Sequence, residues 1–386
     1  MKEIPQEEFV SRIRRLQTEM EKAELDVVLV HSNEADFANV RYLSDYWPIF
    51  EQAGVLVPRQ GEPTLLIGPE SETFARDRSR IERIRKVLHY RESAEPDYPD
   101  IPISSFTEVF KEVNDDRAIG RLGIVGYSIV PVPLYEEVKK ALPHTEIVRA
   151  DELLFNMRVI KSVNEVNLLK EASRISELAI EQVLNSLKPG MSELQVVGIA
   201  QKAIYDNGAE YEGMPQYVLS GKNTTHAISR PSYRIIQKNE LVQLNISARV
   251  GGYSSSIGRP VYLGKMPSEM RKIVQVGLDA HRKTRDSIKA KTEARRVVRD
   301  FYDYIKSRGY EENVLYGPCH GIGLVEVERP WMELNSQYCL EENMTFQVDT
   351  FMYTQDYGFR WENAIRVTKD GVEHFSDRFM ELLEID

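Results

Sequence analysis

The last third of the sequence carries residue types that bind metal ions and transfer protons. His320 stands in the run Cys-His-Gly-Ile-Gly-Leu, Asp349 ends the run Met-Thr-Phe-Gln-Val-Asp, and Glu362 lies in Arg-Trp-Glu-Asn. An imidazole and two carboxylates can hold a metal ion, and the same groups can act as general acids and bases. We therefore expect His320, Asp349 and Glu362 to form a catalytic centre.

Two neutral polar residues stand upstream, eleven positions apart. Asn245 ends the run Leu-Val-Gln-Leu-Asn, and Ser256 ends the run Gly-Tyr-Ser-Ser-Ser. An amide offers a neutral carbonyl oxygen and a hydroxyl a weak one, so neither replaces a bridging carboxylate around a divalent cation. We expect Asn245 and Ser256 to bind substrate.

In this order and spacing, the segments resemble the family of methionine aminopeptidase, aminopeptidase P, prolidase and creatinase, which has the pita-bread fold. That family binds two metal ions with five ligands, in the order Asp, Asp, His, Glu, Glu. The corresponding positions here are Asn245, Ser256, His320, Asp349 and Glu362. The resemblance therefore implies that the site has lost its first two carboxylates.

The resemblance extends over nearly the whole chain. Arg158, Lys161 and Glu165 are similar to the R-x-x-K-S-x-x-E pattern at the start of the family's catalytic domain, and Asn-Val-Arg-Tyr-Leu is similar to a segment of its N-terminal domain. It implies an α/β (α+β) chain. Residues 1–152 are expected to form a creatinase/prolidase-type α/β domain, and residues 153–386 a pita-bread catalytic domain.

The sequence pattern predicts the elements that position these residues. Apolar residues at helical spacing predict a helix over residues 6–24 and a long helix from residue 162. Ser192 and Gln195 predict a capping box at the start of the next helix. Short apolar runs predict strands at residues 26–30, 54–57, 64–67 and 122–125. Later strands are expected to carry the site residues.

The charge of the remaining ligands argues against two metal ions. Two divalent cations bring four positive charges, whereas only Asp349 and Glu362 remain as carboxylates among the five positions. We therefore predict that the site has no metal cofactor. The alternative is a single divalent ion on His320, Asp349 and Glu362, because three protein ligands and a water suffice for one catalytic metal.

Without a metal ion, side chains of the site have to activate water. Two carboxylates on neighbouring strands repel each other, so one is held protonated, and Glu362 with Asp349 becomes an acid–base pair. His320 is expected to orient substrate or to pass a proton. The resemblance makes His226 a further candidate, because metal-free creatinases use a histidine in this region. The position that matches the family's histidine is Ile228, two residues later.

Two charged residues complete the expected site, each with two interpretations. Arg360 pairs with a substrate carboxylate, or forms a salt bridge to Glu362 or Asp349. Glu328 accepts a substrate cation, or is a surface carboxylate at the end of a strand. The histidine of the family's Val-His-Glu is replaced here by Val327, which is a further departure from the peptidases.

Three functions are consistent with these residues. The first is a metal-independent hydrolase of C–N bonds that acts on a small polar amide, amidine or lactam. The second is a catalytically inactive pita-bread protein that binds a ligand without consuming it. The third is an Xaa-Pro dipeptidase or lyase with one metal ion. We favour the hydrolase, because two metal carboxylates are missing while other polar residues of the site remain.

Composition limits the partners. The 386 residues carry 50 Lys and Arg against 60 Asp and Glu, a net charge of −10, which argues against nucleic acid and anionic membranes. No run approaches the roughly 20 apolar residues of a membrane span, and the N-terminus lacks the apolar core of a signal peptide. We expect a cytoplasmic protein that binds a small polar substrate. The resemblance adds a homodimer.

Overall fold

The structure, a computed structural model, describes residues 3–385. Its internal contacts divide the chain into two compact units, one spanning Ile4–Arg158 and one that begins at Val159. The division after residue 152 expected from the sequence falls inside the helix Asp151–Val159. None of the helices within residues 3–385 is long and apolar enough to cross a membrane.

The first unit is built on a six-stranded mixed sheet. Its elements are α1 (Gln6–Lys22), β1 (Val27–Ser32), α2 (Ala38–Ser44), β2 (Ala53–Pro58), β3 (Thr64–Ile67), α3 (Glu72–Arg78), β4 (Ile84–Lys86), α4 (Phe106–Val113), β5 (Arg121–Val125), α5 (Val132–Ala141), β6 (Glu146–Arg149) and α6 (Asp151–Val159). The strand order is β4-β3-β2-β1-β5-β6. Strands β1 and β2 are buried along their whole lengths, as strands covered on both faces are.

The second unit is built on a nine-stranded sheet. Its elements are α7 (Val163–Ser186), α8 (Glu193–Asp206), β7 (Tyr217–Ser220), β8 (Leu241–Ile246), β9 (Arg249–Val250), β10 (Tyr253–Ser254), β11 (Ile257–Leu263), α9 (Ser268–Ser287), α10 (Ala294–Ser307), β12 (Cys319–Gly321), β13 (Glu328–Met332), β14 (Thr345–Tyr353), β15 (Gly358–Val367), β16 (Val372–His374) and β17 (Leu383–Ile385). The main order is β13-β12-β14-β15-β11-β8-β7, with β16 on β15 and β17 on β11. The α/β expectation is confirmed.

Local sequence signals account for the two helices that precede this sheet. At the start of α7, the Ser162 hydroxyl accepts a hydrogen bond from the Glu165 backbone N–H. The Glu165 side chain accepts one from the Ser162 backbone N–H, so the capping box is complete. Ser192 and Gln195 form the same box at α8, as the sequence predicts. Because each box satisfies two backbone donors that a helix leaves open, it fixes where the helix begins.

Strand register brings the site residues into one area of the large sheet. Glu362 on β15 lies opposite Asp349 on β14 and opposite Gly258 on β11. Gly258 in turn lies opposite Asn245 on β8. On the other side, His320 on β12 pairs with Gln347 of β14. Residues far apart in sequence therefore face one another through the sheet's pairing alone.

Candidate active site

Glu362 is the centre of the site, and a glycine makes its contacts possible. A Cβ atom at position 258 would lie 2.8 Å from the Glu362 Cβ and 3.0 Å from the Asn245 Nδ2. The first distance is shorter than real Cβ contacts allow. Gly258 therefore leaves the space through which Asn245 reaches Glu362 across the intervening strand.

Neutral donors bind both oxygens of the Glu362 carboxylate. Its Oε2 accepts hydrogen bonds from the Asn245 amide and, at 3.0 Å, from the Ser256 hydroxyl. Its Oε1 accepts from the Gln347 amide at 3.2 Å. Asn245 and Ser256 are buried, so these bonds are shielded from water. Two sequence-predicted substrate-binding residues thus lie at the site and bind a carboxylate of the chain itself.

His320 and Glu326 complete a group with Glu362. The His320 Nε2 lies 3.6 Å from the Glu326 Oε1 and 4.0 Å from the Glu362 Oε1. One ligand atom from each of the three residues lies within 4.8 Å of the others, a spacing that can hold a metal ion. The His320 Nδ1 lies 3.0 Å from the Gly321 carbonyl oxygen. A proton on Nδ1 would donate to that carbonyl, leaving the Nε2 lone pair for the site.

The two glutamates repel each other in a region that excludes water. Burial and the nearby charges of Glu326 and Asp349 raise the pKa of the Glu362 carboxyl well above its ordinary value. Burial raises the pKa of Glu326 to about 7, a hydrogen bond with Glu362 opposes this rise, and the charge of Asp349 adds to it. The Glu326 Oε1 has no hydrogen-bond partner. A cation between the two carboxylates would remove this repulsion and satisfy the open oxygen.

Asp349 is held away from this group by an ion pair. The Arg360 Nε lies 3.0 Å from the Asp349 Oδ1, and the Tyr316 hydroxyl donates to the Oδ2 at 2.7 Å. Arg360 also donates to the Ala227 carbonyl oxygen at 2.9 Å. Of the two interpretations of Arg360, the structure contains the salt bridge to Asp349. Asp349 is absent from the group whose atoms can share one ion.

The remaining two expected site residues lie apart from the group. Glu328 pairs with the Lys161 ammonium at 2.8 Å, and the side chains are 5% and 2% exposed. The cation beside Glu328 in this structure is therefore one of the chain's own lysines. His226 is exposed, and its Nδ1 lies 3.3 Å from the Ser229 hydroxyl. Catalysis by His226 and substrate binding by Glu328 stay predictions.

The sequence analysis missed Glu326. In the family's Val-His-Glu, the histidine corresponds to Val327, so Glu326 stands where the family has valine. The glutamate at a position where the family has an apolar residue, close to His320 in the sequence, is the signal from which Glu326 could have been predicted. Its importance becomes visible only when the loop folds back toward His320.

Comparison with known proteins gives close overall matches. An Xaa-Pro dipeptidase of Pyrococcus horikoshii is 25% identical over 96% of this chain and 98% of its own length. A creatinase of a Bacillus species is 22% identical over 96% of this chain and 90% of its own. Two crystal structures share the fold. They are an X-Pro aminopeptidase from Thermotoga maritima (TM-score 0.85, 20% identity, 97% and 99% of the two chains) and the Pyrococcus horikoshii prolidase (TM-score 0.83, 24% identity, 96% and 100%).

The expectation of a site without a metal cofactor is wrong. The family model that matches residues 167–369 is that of the metallopeptidase family M24, and the structure brings together a group able to hold an ion. The single-ion alternative also needs correction, because the group that could hold an ion contains Glu326 and does not contain Asp349, which Arg360 and Tyr316 engage.

The residues fit one ion and do not fit two. Asn245 and Ser256 are neutral and already donate to Glu362, whereas the open Glu326 oxygen accepts nothing. The family itself is settled by the matched regions, since a creatinase/prolidase N-terminal domain model matches residues 12–160. This chain belongs to the metallopeptidase family M24.

Proposed function

We propose that the protein is a metal-dependent hydrolase that cleaves a C–N bond in a small polar substrate. The observation that carries the proposal is that His320 and Glu362 on the large sheet and Glu326 on the loop after β12 place one ligand atom each within 4.8 Å of one another. An X-Pro aminopeptidase shares the fold. His320, Glu326 and Glu362 would hold a divalent ion, which would act there as a Lewis acid toward the scissile group and would lower the pKa of a bound water. The Xaa-Pro dipeptides and small amides, amidines and lactams are the substrate classes to test first.

The chain's own residues would fix the geometry of this reaction. The hydrogen bonds from Asn245, Ser256 and Gln347 hold the Glu362 carboxylate in one orientation, so its position needs no reorganisation during the reaction. The ring centroids of Trp331 and His320 lie 5.3 Å apart, and Trp331 is 37% exposed. We infer that Trp331 offers an apolar wall to the substrate.

Turnover by the metal-loaded protein tests the proposal. Purified protein is stripped with a chelator, reloaded with Mn²⁺, Co²⁺ or Zn²⁺, and assayed for release of free amine from the substrate panel. We expect activity that is lost on chelation, restored on reloading and abolished in Glu362→Gln. Glu333→Gln, an exposed glutamate on the same unit, should keep full activity.

Absence of turnover on the whole panel would count against the hydrolase. Saturable binding of a panel compound without release of amine would favour the ligand-binding protein instead. We also propose a homodimer located in the cytoplasm, supported by the family relationship. Light scattering on the eluted protein would contradict the dimer if it gave the mass of a single 44.5 kDa chain.

A further inference from the structure

The buried charges around Glu362 balance one divalent cation. The charged groups that act most strongly on Glu362 are Glu326, Asp349, Arg360 and His320. The buried Arg259 guanidinium also interacts with Glu362 and donates to its carbonyl oxygen at 2.9 Å, but it interacts with Glu177 and Asp377 as well. Among the carboxylates and guanidinium groups named first, Glu362, Glu326 and Asp349 against Arg360 leave two negative charges. The neighbouring pair of Lys161 and Glu328 adds no net charge. Because an uncompensated buried charge is costly, this balance favours one divalent ion over two.

Hydrogen-bond donors occupy the position that a second ion would need. The Glu362 Oε2 faces the Asn245 amide and the Ser256 hydroxyl. The Asn245 Oδ1 in turn accepts from the Gln243 amide at 2.9 Å, so the orientation of the Asn245 amide is fixed by both neighbours. An N–H group directed at Glu362 Oε2 repels a cation that would otherwise bridge there.

Two buried oxygens, one in the three-residue group and one next to it, have no hydrogen-bond partner. The Glu326 Oε1 and the Gln347 Oε1 are both buried without a hydrogen bond. Gln347 is fully buried, and its amide nitrogen donates to the Ser256 carbonyl oxygen at 2.8 Å, which leaves its carbonyl oxygen as the open atom. Native proteins rarely leave such acceptors without a partner, and a cation beside the two carboxylates is one group that would satisfy them.

We propose that this chain holds a single divalent ion on His320, Glu326 and Glu362, and that Glu326 is a relocated ligand. Arg360 and Tyr316 engage the carboxylate of Asp349. Asn245 and Ser256 close the second ion position. The proposal deepens the proposed function and rests on it only for the choice of site, because ion binding is measured without any substrate.

Ion stoichiometry tests the proposal directly. The chelator-stripped, full-length protein is titrated calorimetrically with Mn²⁺ and with Zn²⁺, and the dialysed complex is measured by elemental analysis. We expect about one ion per chain. A count of two, or no binding at either metal, would overturn the proposal. One bound ion with no turnover would instead contradict only the hydrolase.

The ligand role of Glu326 has its own variants. Glu326→Gln should weaken binding by at least about a hundredfold, beyond the loss seen when a residue that merely orients a ligand is removed. The same change should raise the thermal midpoint of the ion-free protein, since it removes repulsion with Glu362. Glu333→Gln serves as the matched control. Unchanged affinity in a folded Glu326→Gln protein would overturn the assignment.

A gain of binding tests the closed second position. The double variant Asn245→Asp/Ser256→Asp adds two carboxylates where two donors now stand. We expect it to bind two ions per chain, and to be less stable than the wild type when both are removed, because the two added carboxylates then face Glu326 and Glu362 without a cation. A folded double variant that still binds one ion would contradict the role given to Asn245 and Ser256.

Discussion

At the scale of single residues, small differences decide what this site can bind. The change from carboxylate to amide and hydroxyl at positions 245 and 256 was readable from the sequence, but the conclusion drawn from it, a site without a metal cofactor, was wrong. The contribution of Glu326 was not, because its neighbours in sequence do not determine where its carboxylate lies. Gly258 likewise gains its meaning only from the strands on both sides.

Gly258→Ala should disrupt the site. Its new Cβ would lie 2.8 Å from the Glu362 Cβ, so the strands have to shift, at a cost of about 1–3 kcal/mol. Urea unfolding measures the loss. Gly198→Ala is the control, because a Cβ there meets no atom within 4 Å and alanine favours the helix. Equal stability of Gly258→Ala and wild type would refute the close approach.

Asp349→Asn should destabilise the protein strongly. The change leaves the Arg360 guanidinium buried without its carboxylate, and the two side chains are only 9% and 6% exposed. Breaking such a pair costs about 3–5 kcal/mol. A double variant, Asp349→Asn/Arg360→Met, should recover most of the loss in urea unfolding. Additive losses in the double variant would show that the two side chains do not interact.

At the scale of elements, α8 holds the loop that carries His226. Glu193 at the start of α8 is fully buried. Its carboxylate accepts from the amide and hydroxyl of Ser220 and of Ser232, each at 2.8 Å, and from the Asn223 amide at 3.1 Å. The loop is tied a second time where Ala227 accepts from the Arg360 side chain. The capping box that starts α8 was predictable from the sequence. The hydrogen bonds from the loop to the Glu193 carboxylate were not.

Glu193→Gln should loosen this loop. The carboxylate now accepts hydrogen bonds from five donors. The amide of glutamine would place its own N–H donors against some of them, which costs about 1–3 kcal/mol. Hydrogen exchange of residues 221–232 should become about tenfold faster or more. Glu177→Gln is the matched control, because Glu177 accepts from the amides of Asp377 and Arg378. Unchanged exchange at residues 221–232 would disprove the anchoring role.

At the scale of the whole molecule, each unit has a buried histidine that resists protonation. Burial lowers the pKa of His31, in the first unit, to about 4. Burial, and after it the charge of Arg285, lowers the pKa of His281, in the second unit, well below its ordinary value. Below pH 6.5 the unfolded chain binds a proton at these positions that the folded chain does not. Folding stability therefore falls as pH falls.

The His31 contribution should appear between pH 6.5 and pH 4. Across this window the first unit should lose about 3 kcal/mol, since each unit of pKa shift corresponds to about 1.4 kcal/mol. His31→Leu removes the titrating group and should flatten this dependence. Urea unfolding at several pH values, followed by hydrogen exchange of β1 and β2, measures the effect. Identical pH profiles for variant and wild type would contradict it.

Residue types and their spacing were enough to predict the family, the order of the two domains and the loss of two metal carboxylates. These conclusions depend on residue types at fixed spacings, and spacing along a strand fixes which face a residue occupies. The tertiary structure was needed to show which carboxylates lie close enough together to hold an ion. Arg360 engages Asp349, and the loop after His320 brings in Glu326. Both contacts depend on packing between segments that local sequence does not encode.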